Sequence, residues 1–238
     1  MKSISIIIPA YNEEKRLGKT LSLWQDFLKT EKFGYKITEI IVVDDGSQDK
    51  TCQIAESFSN ALPMKVIKIK PNMGKGNAVR AGIKNAIGDF IFIYDADAAV
   101  LPEEIEKLLL QINNANVIIG SRVAVGAKAK RDFIRKFIGA CFHLLCLPLL
   151  PNIKDASCGA KLFEKKCAQK IFEQQRINRF AFDIEILWLA KKLKFKTKEV
   201  GIIWTEIPGS KVNVLKDGFE MFFSVLGLYK RAILDKIK

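Results

Sequence analysis

The chain has 238 residues, 49% of them hydrophobic, and a formal net charge of +13 at pH 7. That length and apolar content suffice to bury a sizeable core, either as one large α/β domain or, the reading favoured here, as one domain with an appended helical segment. The charge attracts polyanions in general, whether phosphorylated substrates, an anionic membrane or nucleic acid, and selects none of them by itself.

Residues 4–8 are a short apolar strand that stops at Pro9, and Ala10-Tyr11-Asn12-Glu13-Glu14 makes a polar turn before a helical pattern running to about residue 32. A second strand over 37–43 is closed by Asp44-Asp45-Gly46-Ser47, and residues 49–60 have the composition of a helix. A third strand, 66–69, leads through the loop Asn72-Met73-Gly74-Lys75-Gly76-Asn77 into a helix over 78–87. The fourth strand, 90–94, ends abruptly in Asp95-Ala96-Asp97. Pro102 suits the start of a helix whose positive end Glu103 and Glu104 complement, and this helix is expected to reach Asn113. A fifth strand, 117–119, ends in Gly120-Ser121-Arg122.

Strands alternating with helices predict a mainly parallel sheet with right-handed crossovers. Ligands in such sheets bind beyond the carboxyl ends of the strands, which is where every polar cluster above falls. Asp95 and Asp97 on one short turn suit a hard divalent cation, Mg²⁺ or Mn²⁺, which takes oxygen ligands and keeps positions open for substrate phosphates. Tyr11 can stack on a flat base, and Asp44 or Asp45 can accept hydrogen bonds from a base or a ribose. Lys75, the amides around Gly74 and Gly76, and Arg122 can neutralise phosphate. The spacing matches neither a Walker A loop nor the GxGxxG dinucleotide fingerprint.

Pro9-Ala10-Tyr11-Asn12-Glu13-Glu14, Val42-Val43-Asp44-Asp45-Gly46-Ser47, Asn72-Met73-Gly74-Lys75-Gly76, Asp95-Ala96-Asp97 and Gly120-Ser121-Arg122 resemble the ordered motifs of the family 2 inverting glycosyltransferases of GT-A fold. The resemblance implies a nucleotide held by Pro9, Tyr11, Glu13, Val43, Asp44, Asp45, Lys75 and Ala96, and a divalent ion on Asp95 and Asp97 that binds the nucleotide's diphosphate. Later motifs, residues 155–163, 180–187 and 204–211, resemble the polyprenyl-phosphate hexosyltransferases. Within these, the match favours the dolichyl-phosphate β-glucosyltransferases over the mannose synthases. The latter often carry a glutamine where this chain has Ala99, and an arginine-rich stretch where it has residues 204–208.

The implied reaction moves glucose from UDP-glucose to a polyprenyl monophosphate, with inversion, at the cytoplasmic membrane face. On this reading residues 1–125 form a nucleotide-sugar-binding half and 126–238 an acceptor-binding half. An acceptor phosphate is already ionised at neutral pH, so no protein base is required. Arg122, Arg131, Arg135 and Lys211 are candidates to position it, and Asp155 to organise the acceptor or the donor sugar. Of Asp183 and Glu185, two apart on one helix, at most one is expected to face the site. The alternatives are GDP-mannose as donor, a saccharide hydroxyl as acceptor with Asp155 or Asp183 as base, and a non-enzymatic nucleotide-sugar-binding or nucleic-acid-binding protein. Nucleic acid is disfavoured, because acids at the same sheet edge would repel its backbone.

Five widely spaced cysteines form no zinc-binding pattern and suit a reducing setting. The amino terminus has no signal-peptide pattern and lacks the anchor of the eukaryotic glucosyltransferases, and no segment is expected to span a membrane. Attachment is therefore expected from a basic amphipathic helix carrying Phe133, Ile134, Phe137, Ile138, Cys141, Phe142 and Leu145, lying on an anionic membrane surface. His143, on this helix, is expected to be structural. A second stripe, Phe219, Phe222, Phe223, Leu226 and Ile233, is expected to pack against the core at least as readily as to face lipid.

Overall fold

The computed structural model describes residues 1–30, 34–129, 133–207 and 214–237. The first half alternates β1 (Ser3–Ala10), α1 (Leu17–Leu28), β2 (Lys36–Asp44), α2 (Thr51–Ser57), β3 (Met64–Lys68), α3 (Lys75–Asn85), β4 (Phe90–Ile93), α4 (Glu104–Leu109) and β5 (Val117–Ser121). The second half adds β6 (Lys128–Ala129), α5 (Phe133–Cys146), β7 (Lys161–Glu164), α6 (Lys165–Gln174), α7 (Phe182–Lys192), β8 (Thr197–Gly201), β9 (Ile203–Trp204) and α8 (Val214–Ile237). The expected strands and helices form, with ends that shift. α1 stops at Leu28, short of residue 32, and α3 begins at Lys75, three residues before its expected start.

The main sheet has the order β3-β2-β1-β4-β7-β5-β8. β1 sits inside it because Ile4, Ile6, Ile7 and Ile8 are β-branched and fully buried, as a strand covered on both faces requires. The two-residue period of the strand then divides the core. Ile7, Ile41, Val43, Ile91 and Ile93 pack into one layer, and Ile6, Ile8, Ile40, Val42, Phe90 and Phe92 into the other.

β7 was not foreseen. It enters antiparallel between β4 and β5, pairing Lys161 with both Ile93 and Ile119. With β8 it makes the sheet common to both halves of the chain. The parallel register of β1 with β2 sets Ala10 beside Asp44, and that of β1 with β4 sets Ile7 beside Ile93. Tyr11, Asp45 and Asp95 therefore leave the sheet at one edge.

α8 decides between the two readings of its aromatic stripe, against packing on the core. Its core face carries Asp217, Val225 and Leu228, while Phe219, Phe222, Phe223, Leu226 and Ile233 are exposed. At 100° per residue the two sets lie on opposite sides of the helix, so α8 is apolar on both. A stripe at helical spacing identifies an amphipathic face without saying which face meets the core. On α5 the outward residues are Ile138, Cys141 and Leu144, whereas Phe142 and Leu145 pack inward. The Tyr229 hydroxyl of α8 donates to the Leu145 carbonyl, 2.6 Å away, and joins the two helices. No helix among the described residues is long and apolar enough to cross a membrane.

Candidate active site

Beyond the ends of β1, β2 and β4 lies a cavity of about 350 Å³, lined by residues that include Pro9, Tyr11, Glu13, Arg16, Asp45, Lys75, Asp95, Ala96, Asp97, Arg179 and Asp217. Its floor is fixed by short-range bonding. The Asp45 carboxylate accepts hydrogen bonds from the Asn72 side chain and from the backbone amides of Met73 and Gly74, at 2.7–3.0 Å. This ties the loop after β2 to the glycine loop before α3. Gly74 adopts φ 103, a conformation that favours glycine, and an added Cβ would lie 2.6 Å from the Asn178 carbonyl. Segment 177–182 is thereby packed directly onto the start of α3, with Asn77 N donating to Asn178 O at 3.1 Å.

The acidic turn after β4 is held from three sides. Thr20 Oγ1 of α1 donates to Ala96 O at 2.8 Å, the Tyr94 hydroxyl donates to Val100 O, and Thr205 N donates to Ala99 O at 2.8 Å. Ala99 N caps Asp97 Oδ1 at 3.0 Å.

Cations meet both acids. Lys75 Nζ lies 2.6 Å from Asp95 Oδ1, and Arg16 Nη1 lies 4.0 Å from Asp97 Oδ2. Burial alone would push the Asp95 carboxyl up, but the charge of Lys75, with Lys161 and Arg122 behind it, holds it below its ordinary value. Asp97 goes the other way, raised by burial and by the charge of Asp95. Burial tends to lower Lys75, and the negative charges of Asp95 and Asp183 outweigh it and raise this group above 10.5.

Behind Asp95 stand two further ion pairs. The Lys161 side chain, fully buried on β7, donates to Asp183 Oδ1 at 2.6 Å and to the Cys158 carbonyl. Arg122 grips Asp155 through two side-chain bonds of 2.8 and 2.6 Å and one backbone bond of 2.8 Å, and its guanidinium lies over the Trp204 ring, 5.6 Å from the centroid. Gly159 packs so closely on Asp95 that an added Cβ would collide with the carboxylate.

The structure thus gathers Pro9, Tyr11, Glu13, Asp45, Lys75, Asp95, Ala96 and Asp97 around one cavity. Val43 is not among its lining: the side chain is fully buried in the core, which limits any contact with a nucleotide to the backbone. Asp44 is buried beneath the loop and accepts a bond from Ser47 N at 3.0 Å. Glu13 is chelated by Arg16 at 2.6 and 2.5 Å. Arg122 and Asp155 form their own pair beside the cavity and do not line it. Arg131 and Lys211 lie outside the described residues, as does the side chain of Arg135. Asp183 faces Lys161, whereas Glu185 turns away to the amides of Arg176 and Ile177 and to Arg231.

Sequence reasoning overlooked Arg16, Arg179 and Asp217 in the lining, and Lys161 beneath it. Arg16 had a signal, one helical turn after Glu13 in a loop already singled out. Lys161 had one only in retrospect, as a charge within the apolar Ala160, Leu162 and Phe163.

No cluster of three metal-ligating side chains occurs among the described residues. The arrangement still fits a divalent ion that takes much of its shell from a ligand. Asp95 and Asp97 offer two carboxylates on one turn, both partly open to the cavity, with Asp95 Oδ1 meeting the Lys75 ammonium. Among the described residues the lining offers Asp95 and Asp97, the carboxylates that a divalent ion would take, beside Lys75. Mg²⁺ sites of one or two carboxylates completed by substrate phosphates are of this kind.

Comparison with known proteins places this geometry. The family model described as glycosyl transferase family 2 matches residues 5–172. A dolichyl-phosphate β-glucosyltransferase of Dictyostelium discoideum is 37% identical over 99% of this chain and 77% of its own. The Drosophila melanogaster protein of the same name is 39% identical over 88% of this chain and 69% of its own. Among solved structures, glucosyl-3-phosphoglycerate synthase from Mycobacterium tuberculosis, in complex with Mn²⁺, UDP-glucose and phosphoglyceric acid, superposes with a TM-score of 0.71. It is 15% identical and covers 94% of this chain and 77% of its own. Mannosyl-3-phosphoglycerate synthase from Rubrobacter xylanophilus gives 0.72 at 16% identity over 99% and 75%. These likenesses establish the GT-A fold expected from the motifs. The chain belongs to glycosyl transferase family 2, alongside the dolichyl-phosphate β-glucosyltransferases.

Proposed function

We propose that the chain transfers glucose from UDP-glucose to a dolichyl-type polyprenyl monophosphate, with inversion, at the cytoplasmic face of a membrane. The observation that carries this is the meeting of Asp45, Lys75, Asp95 and Asp97 at one cavity, in a chain 39% identical to a dolichyl-phosphate β-glucosyltransferase. Tyr11, Pro9, Glu13, Asp45 and Ala96 border the nucleotide, while Asp44 and the backbone of Val43 support the loop beneath it. Asp95 and Asp97 would hold Mg²⁺ or Mn²⁺, which would supply positive charge to the departing diphosphate. Lys75 adds a cation at the same place, where negative charge grows in the transition state.

The acceptor oxygen is an already ionised phosphate, so the protein's task is to bring it in line. Arg122, Arg131, Arg135 and Lys211 are assigned to that, with Asp155 orienting Arg122. A sugar-hydroxyl acceptor is disfavoured because the two carboxylates available as base, Asp155 and Asp183, are each bound to a cation at 2.6 Å. Docking of the exposed faces of α5 and α8 on an anionic membrane would bring the mouth of the site to its lipid, since Asp217 of α8 is part of the lining.

The test is purified protein with Mn²⁺ or Mg²⁺, a short polyprenyl phosphate, and labelled UDP-glucose or GDP-mannose. Metal-dependent label in the organic phase is expected with UDP-glucose. Label from GDP-mannose alone would overturn the donor, and none from either would overturn the lipid acceptor.

A further inference from the structure

The Asp95 side chain keeps 35% of its surface exposed at the cavity, so a new ligand can reach it, but only beside a cation already in place. Its Oδ1 is covered by the Lys75 ammonium at 2.6 Å, and the carboxylate packs against Gly159, where an added Cβ would collide with Oδ2. The backbone of Lys75 is also fixed. It is the first residue of α3, and the glycines on either side, Gly74 and Gly76, are packed against the carbonyls of Asn178 and Ile177. Only the side chain has freedom to leave. A divalent ion approaching Asp95 at ligand distance, about 2.0–2.2 Å, would share one carboxylate with an ammonium of like sign.

We infer that Lys75 is a resident counter-cation on Asp95 that competes with a divalent ion for the carboxylate, so that a diphosphate, by drawing the ammonium away, tightens metal binding. This rests on the assignment of Asp95 as a metal ligand. The diphosphate makes the exchange favourable by offering the displaced ammonium a new anion, and Asp183, whose charge already acts on Lys75, offers a second. Arg16 plays the milder part at Asp97, at 4.0 Å and engaged with Glu13. Coupling of this sort is reciprocal: the factor by which UDP tightens metal binding equals that by which metal tightens UDP binding.

The experiment is a Mn²⁺ titration followed by electron paramagnetic resonance, with and without UDP, on wild type, Lys75→Met and Lys75→Arg. Wild type is expected to bind Mn²⁺ at least about tenfold more tightly with UDP than without, a coupling of ~1.4 kcal/mol. Lys75→Met should bind Mn²⁺ alone about tenfold more tightly than wild type and show a correspondingly smaller gain in Mn²⁺ affinity on adding UDP. Lys75→Arg, which keeps the charge, should stay within about threefold of wild type. Mn²⁺ binding by Lys75→Met that is no tighter than wild type, with UDP-dependent binding intact in wild type, overturns the inference and leaves the metal site standing. No UDP-dependent Mn²⁺ binding in any of the three overturns the metal assignment and the inference with it.

Discussion

Replacing Asp183 by Asn tests whether the ion pair under the site is structural. The Lys161 side chain is 0% exposed and Asp183 8%, with Nζ and Oδ1 2.6 Å apart. The substitution keeps the shape and removes the charge, leaving a buried ammonium with the Cys158 carbonyl as its other acceptor. Breaking a buried pair from one side costs about 3–5 kcal/mol, because the surviving charge stays desolvated. For a chain of this size that corresponds to a fall in Tm of roughly 6–20 °C. Lys161→Met should cost less, since Asp183 at the start of α7 can be rehydrated more easily than Lys161 between two strands. The double variant should recover much of the loss, because it leaves no uncompensated charge. Urea denaturation of the four proteins closes a double-mutant cycle and isolates the pair. Additive losses, or a loss below about 1 kcal/mol in Asp183→Asn, would refute the claim that the two charges depend on each other.

Gly159→Ala should displace Asp95 and reduce kcat on the order of 10²-fold, as ångström-scale misplacement does, while far-UV circular dichroism stays native. Asp155→Asn should be destabilised at neutral pH by about 3 kcal/mol. Burial pushes the Asp155 carboxyl up and the bonds and charge of Arg122 bring it below 3.8, so its stabilisation is complete well above that value and is lost as the pH falls through the folded pKa. Denaturation curves of variant and wild type should therefore converge below pH 3.8, and a gap that widens there would contradict the assignment. Phe219→Ser with Phe223→Ser, at side chains 65% and 66% exposed, should leave stability within about 0.5 kcal/mol and reduce sedimentation with anionic vesicles several-fold. Unchanged sedimentation would remove α8 from the membrane face.

Much of this was legible because local patterns carried it. The acids after β2 and β4 and the glycine loop before α3 stand at strand ends that hydrophobic runs mark plainly, and parallel connections place such ends on one edge. β7 was hidden because four residues, one of them Lys161, give no alternation to read, and its lysine is acceptable in a sheet only through the distant Asp183. Arg122 and Asp155 were each singled out, but not as a pair, since 33 residues separate them and only β5 and the turn before β7 bring them together. The stripe of α8 was left open between core and lipid because Phe219 and Phe223 suit a core as well as the Val225 and Leu228 that pack. Burial in this helix follows its orientation against the sheet, and hydrophobicity alone does not fix that.

The net charge of the chain, which by itself singled out no partner, takes on a meaning once the cavity is built. Among the described residues the lining carries only three cations, Arg16, Lys75 and Arg179, beside several carboxylates, so most of the formal +13 resides elsewhere. Binding of a metal–nucleotide complex there is short-range and partly buried, and salt screens such interactions weakly. Attraction of the exposed basic surface to an anionic membrane acts over a Debye length, about 10 Å at 0.1 M salt, and contributes roughly 1 kcal/mol per Lys or Arg near the surface. The two should separate in one experiment. Raising NaCl from about 0.05 to 0.5 M, a range in which the Debye length falls several-fold, should raise the apparent KM for a polyprenyl phosphate presented in anionic vesicles, while the Kd for UDP at saturating Mn²⁺ changes by less than about threefold. Equal salt sensitivity of the two constants would mean that the positive charge acts on the nucleotide as much as on the membrane, and a KM unmoved by salt would mean that the apolar face of α8 holds the membrane without it.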